Sequence, residues 1–162
     1  MRIRKIMAVT MAACLVAGSL AGCGKKTEEK VIKIGVFEPT TGENGGGGFQ
    51  EVLGIRYARE MHPTVTINGE EYQVELVEVD NKSDKTEAVN AAQKLVSEKV
   101  SVVLGSYGSG VSIAAGQIFA DAKIPAIGCS CTNPQVTEGN DYYFRVCFID
   151  PFQGTVMANY AF

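Results

Sequence analysis

Three short segments concentrate the side chains that could hold a small ligand: residues 38–48 (EPTTGENGGGG), 105–112 (GSYGSGVS) and 128–134 (GCSCTNP). Each is rich in Gly, Ser, Thr or Asn, and none contains Lys, Arg or His. A site built from them works with dipoles rather than formal charge. Ser109 lies where small residues open an apolar, helix-like run, and a helix start offers unpaired N–H groups and the positive end of the dipole to a carboxylate or similar anion. Ser130 and Thr132 are two residues apart, so in an extended segment their hydroxyls point the same way. The same residue types also serve as caps, Ser109 for its helix and Thr132 for the turn at Asn133-Pro134, and residue type alone leaves both readings open.

The segments are positioned by elements whose hydrophobic period switches repeatedly. Residues 31–37 (VIKIGVF) predict a strand, and Phe49, Val52, Leu53, Tyr57 and Met61 then fall on one helical face. Residues 65–80 predict a hairpin turning at Asn68-Gly69. Asp84 and Glu87 suggest a capping box for a helix over 85–99. A buried strand is predicted at 100–105, a helix over 109–122, short strands at 124–128 and 142–148, and a last helix from about residue 151. Strands alternating with helices give an α/β fold with a doubly wound parallel sheet, in which ligands bind at the carboxyl ends of the strands. All three segments fall there.

At the N-terminus, Arg2, Arg4 and Lys5 precede an uncharged run over residues 6–21, the layout of a secretory signal over 1–22. At 16 residues the run is shorter than the roughly 20 that span a hydrocarbon core. It ends in Leu20-Ala21-Gly22-Cys23, which resembles the lipobox of bacterial lipoproteins. That resemblance implies acylation of Cys23, a tether over 23–30 and a membrane-surface location, since buried acyl chains anchor a protein. Without residues 1–22, 12 of the 15 basic residues remain beside 18 acidic ones, a net charge of −6. An acidic body is ill suited to nucleic acid. Cys129, Cys131 and Cys147 are an odd number without metal-site spacing, and His62 is the only histidine, so neither a disulfide framework nor a metal centre is expected. No cofactor is expected either.

Residues 105–137, preceded by EPTTGENGGGGFQEVLGIRYA and followed by YYFRVCFIDPFQGTVMANY, resemble the first lobe of the branched-chain amino acid substrate-binding proteins of bacterial ABC transporters. The likeness covers most of residues 31–160. It implies a periplasmic-binding-protein-like first lobe over 31–162, cut before the second lobe, and an amino acid ligand delivered to a transporter permease. It further implies that Ser109 and Thr132, with the backbone around Ser130 and Cys131, hold the ligand's α-carboxylate. The family carries an aromatic residue flanking the ligand where this chain has Gly47, so the four glycines 45–48 are expected to form a pocket-mouth loop free to adopt positive φ. A ligand-sensing domain of a receptor or regulator shares the fold class. An exported hydrolase is the enzyme alternative, but Tyr107 stands where G-x-S-x-G needs its first glycine.

Overall fold

The computed structural model describes residues 30–162. Cys23, the expected signal over 1–22 and all of the tether except Lys30 lie outside the described residues. Six strands and four α-helices follow in the order β1 (Val31–Glu38), α1 (Gly45–Met61), β2 (Thr64–Ile67), β3 (Glu70–Asp80), α2 (Lys85–Ser97), β4 (Val102–Leu104), α3 (Ser109–Asp121), β5 (Ala126–Gly128), β6 (Tyr143–Arg145) and α4 (Asp150–Ala161). A short 3₁₀ turn, Pro134–Val136, separates β5 from β6.

The strands form one sheet in the order β2-β3-β1-β4-β5-β6. Pairings among β3, β1, β4, β5 and β6 are parallel. Only β2, at the edge, runs antiparallel to β3. It is joined through Asn68 and Gly69, whose φ values of 52° and 81° are the left-handed pair that a tight hairpin turn needs. From β1 the chain goes first to β3 on one side and then to β4 on the other. The order therefore reverses at β1, and the loops after β1, β4 and β5 meet at one end of the sheet.

Helices cover both faces. The core lies between the sheet and the pair α2 and α3, where Phe37, Leu95, Val103 and Phe119 are fully buried. Phe37 and Phe119 meet edge to face with centroids 5.5 Å apart, a geometry worth about 0.5–1.5 kcal/mol beyond area burial. Asp84 caps α2 by accepting from the Thr86 and Glu87 amides. The reciprocal half of the box is not made, because the Asp84 N–H goes to the Asn81 carbonyl.

On the other face α1 is rotated away from the expectation. Val52 is buried, but Phe49 and Tyr57 are 41% and 65% exposed. Polar ties accompany the rotation: Arg56 makes a two-pronged ion pair with Glu78 at 2.7 and 2.6 Å, and Arg59 Nε donates to the Val74 carbonyl. The face turned to the sheet carries Glu51, Ile55 and Ala58, over a groove of about 630 Å³ floored by Ile34, Leu76 and Leu104. Leu104 borders that groove and is only half-buried, so the expected strand over 100–105 is covered less fully than its sequence suggests.

The glycine tract is a correction. Gly45–Gly48 form the first turn of α1 rather than a loop, and none of the four has positive φ. Close approach is the reason for glycine at positions 47 and 48. A Cβ on Gly48 would stand 2.2 Å from the Pro39 carbonyl oxygen, and one on Gly47 would stand 2.5 Å from Cζ of Tyr107.

Candidate ligand site at the carboxyl end of the sheet

The loop after β1 is pinned before it reaches α1. Asp80, the last residue of β3, accepts from the Thr40 amide at 2.9 Å and from the Thr41 hydroxyl at 2.6 Å. Burial works against its charge, but the bonds from Thr41, Lys82 and Thr40 prevail and lower its carboxyl from 3.8 to about 2. The Asn44 amide donates to Ser83 Oγ at 2.9 Å, fixing the entry to α1.

The second loop is held from below. The Tyr107 amide donates to Oε2 of the buried Glu38 at 2.6 Å. Ser106 is buried and its hydroxyl accepts from Asn81 Nδ2 at 2.8 Å. Tyr143, from β6, donates its hydroxyl to the Gly105 carbonyl at 2.7 Å. Burial raises the Tyr143 phenol well above its usual range, so it remains a donor.

Ser109 is the first residue of α3, and Gly108, at φ 108°, occupies the N-cap. Ser109 is therefore not the cap. Its Oγ accepts the Asn133 amide across 3.2 Å, joining the loop after β4 to the loop after β5. A hydroxyl that accepts keeps its own proton free to donate, here at a helix start. The turn after Thr132 is capped by Asn133, whose side chain accepts from the Gln135 amide, so Thr132 is not a cap either. Its carbonyl accepts from the Asp150 amide at 3.0 Å. Ser130 Oγ is buried without a hydrogen-bond partner among the described residues. Cys131 is fully buried, and burial pushes its thiol up to about 11. Cys129, Cys131 and Cys147 are all free thiols.

Two side chains of this site went unread in the sequence. Arg145 of β6 clamps the loop after β5: Nη1 donates to the Cys131 and Asn133 carbonyls at 2.8 and 2.9 Å, and Nη2 to the Pro134 carbonyl and Thr137 Oγ1 at 3.1 and 2.8 Å. Only its place in a β-rich run was visible beforehand. Lys85, the first residue of α2, brings Cε within 3.6 Å of where a Cβ on Gly110 would lie, in a cavity of about 90 Å³ shared with Asn44 and Gly108. The three loops hold no basic residue themselves, yet the fold sets one beside the start of α3.

The arrangement joins Ser109 to the loop that carries Ser130, Cys131 and Thr132, behind a scaffold of buried hydrogen bonds. The side chains gathered there, Ser109, Ser130 and Thr132, carry hydroxyls and no formal charge. Among the described residues no helix is long and apolar enough to cross a membrane.

Residues 31–162 match the family of periplasmic binding proteins. A Leu/Ile/Val-binding protein homolog of Brucella abortus is 36% identical over 133 residues, 81% of this chain and 35% of the relative. The crystal structure of a leucine binding protein from Thermotoga maritima superposes with a TM-score of 0.74 at 43% identity, covering 81% of this chain and 37% of that one. A branched-chain amino acid transporter substrate binding protein from Streptococcus pneumoniae, solved with isoleucine, gives 0.72 at 36% identity over 81% of this chain and 38% of that one. The chain thus spans about a third of the length of these relatives.

Proposed function

The chain belongs to the periplasmic binding protein family, a family of solute binders and not of enzymes, and from that premise we propose that it supplies the first lobe of an extracytoplasmic substrate-binding lipoprotein. Its ligand is an amino acid of branched-chain or similar type, handed to the permease of an ABC importer, and Cys23 carries the lipid that holds the protein at the membrane surface. The names of the relatives, with leucine, isoleucine and valine among their ligands, support the ligand class.

The observation that carries this reading is the Ser109 to Asn133 hydrogen bond. It sets a hydroxyl with a free proton at the start of α3 and beside the segment of Ser130, Cys131 and Thr132, the arrangement that suits an α-carboxylate. The aromatic wall missing at position 47 is supplied from the neighbouring loop, where the Tyr107 ring covers Gly47. Calorimetric titration of the two-lobed protein with leucine, isoleucine and valine tests the reading. Saturable binding of a free amino acid is expected, and no heat with any amino acid would overturn it. Mass spectrometry of protein recovered from membranes tests the anchor. An acylated N-terminal Cys23 is expected, and a mature chain beginning elsewhere would refute it.

A further inference from the structure

Glu38 closes β1 with its side chain turned inward, and its residue is 0% exposed. Oε2 takes the Tyr107 amide, whereas Oε1 is buried with no donor among the described residues. Glu51 of α1 stands beside Glu38 and also has a buried oxygen, Oε2, with no donor among the described residues. Cys129, just after β5, completes the cluster: one oxygen of each carboxyl and the Cys129 sulfur lie within 4.8 Å of one another. Two ionised carboxylates in this position would repel inside a poorly solvated site, and both orphaned oxygens would remain unsatisfied. One proton between them removes both costs.

We propose that Glu38 and Glu51 share a single buried proton, and that this acid pair is the positioning device which, through the Tyr107 amide, sets the 105–109 segment for the ligand. The ligand half rests on the reading of Ser109 given above. The acid pair stands without it. A divalent cation could also bridge such atoms, but two carboxyls and one thiol are three protein ligands, one fewer than the four of a closed structural zinc site. Among the described residues, Cys129 from the β5 loop and Tyr143 from β6 face the pair, both held neutral, and Arg59 and His62 line the same groove as Glu51.

Burial first, and then the bond to Glu51, raise the Glu38 carboxyl to about 9, against the opposing pull of the Tyr107 amide. The unfolded chain releases this proton near 4.5, so the folded state holds one proton more between those two values. The stability it contributes is complete below the unfolded value and is lost as pH rises toward and through the folded one. Above it the two ionised carboxylates repel, which displaces the Glu38 side chain that carries the Tyr107 amide, although that bond itself favours the ionised form.

Chemical unfolding of the protein from about pH 5 to about pH 9 tests the pair. The unfolding constant should rise with a slope approaching about tenfold per pH unit. Glu38→Gln should flatten that rise, because an amide keeps an acceptor for Tyr107 and donates to Glu51 permanently. Infrared spectra near neutral pH should show the C=O stretch of an un-ionised carboxylic acid in the wild type, lost in Glu38→Gln and in Glu51→Gln. If a variant does not fold, the wild-type band decides alone. Absence of the band, or parallel pH profiles for wild type and Glu38→Gln, would overturn the pair. So would a melting temperature raised by zinc(II) and returned to baseline by Cys129→Ser, since a cation would then fill the place of the proton. These measurements use no ligand and stand even if the amino-acid reading fails. In the two-lobed protein, leucine affinity should weaken above about pH 9 in the wild type and hold in Glu38→Gln. Affinity unchanged across that range beside a demonstrated acid pair would remove the positioning role.

Discussion

The ring of Tyr107 lies over Gly47 so closely that a single methyl on Gly47 would stand 2.5 Å from Cζ. The two residues come from α1 and from the loop after β4, and the contact decides what each can tolerate. Gly47→Ala gains up to about 1 kcal/mol of helix propensity but must displace the ring. Alone it should leave the melting temperature unchanged or lower it. In a Tyr107→Ala background the same change should be stabilising, because the obstacle is gone. Equal effects in the two backgrounds would show that the ring does not occupy that space.

Arg145 should prove structural. It bonds to three main-chain carbonyls and the Thr137 hydroxyl, so removal leaves several half-buried acceptors without donors. Arg145→Ala should cost about 2–4 kcal/mol in denaturant unfolding. Arg145→Lys should recover little, since one ammonium cannot reproduce a planar fork. A lysine variant as stable as the wild type would contradict the clamp.

Local rules made much of the fold legible. Asn68-Gly69 announced the hairpin, Asp84 the start of α2, and the switching period the parallel sheet. Ser109 and the segment around Thr132 could be placed at strand ends because they follow apolar runs. What stayed hidden depends on partners distant in the chain. Glu38 and Tyr107 are 69 residues apart, and nothing near Glu38 marks it as buried. The glycines at 45–48 read as a loop because glycine disfavours helix. At Gly47 and Gly48 the reason lies in Tyr107 and Pro39, which only the fold brings close. The apolar stripe of α1 misled in the same way, since the fold turns it outward while Arg56 and Arg59 tie the helix to β3.

Asp80 predicts an acid limit to stability. Its carboxyl is lowered to about 2 from an ordinary 3.8, so its contribution is complete above the ordinary value and is lost as pH falls toward the lower one. The group is only half-buried and still screened by solvent, which limits the effect to about 1 kcal/mol. Asp80→Asn should lower stability at neutral pH by that amount and flatten the acid limb of the profile below about pH 4. An unchanged acid limb would show that the bonds from Thr40 and Thr41 do not depend on the charge.

The last prediction separates a ligand role for Thr132 from a structural one. In the two-lobed protein Thr132 and Ser109 are proposed to donate to the ligand's carboxylate. Hydrogen bonds to a charged group are worth roughly 1.5–3 kcal/mol each. Thr132→Ala should therefore weaken leucine binding by about 10-fold to 100-fold, at 1.4 kcal/mol per tenfold. The fold's own use of Thr132 runs through its carbonyl, which accepts from Asp150 and survives the substitution, so the melting temperature should hardly move. Ser109→Ala differs, because it also strips the Asn133 amide of its acceptor and should lower both affinity and stability. Lys85 stands beside the start of α3, so Lys85→Met is the control for a charge effect at the same helix end. If neutral donors hold the anion, Lys85→Met should change affinity less than Thr132→Ala does. Leucinamide, which lacks the anion, should bind the wild type far more weakly than leucine, and the difference should shrink in Thr132→Ala. Calorimetry of both ligands with wild type and Thr132→Ala closes the cycle. A coupling energy near zero would mean that the hydroxyl does not meet the carboxylate, and a larger loss in Lys85→Met would move the anion's partner from the hydroxyls to the ammonium.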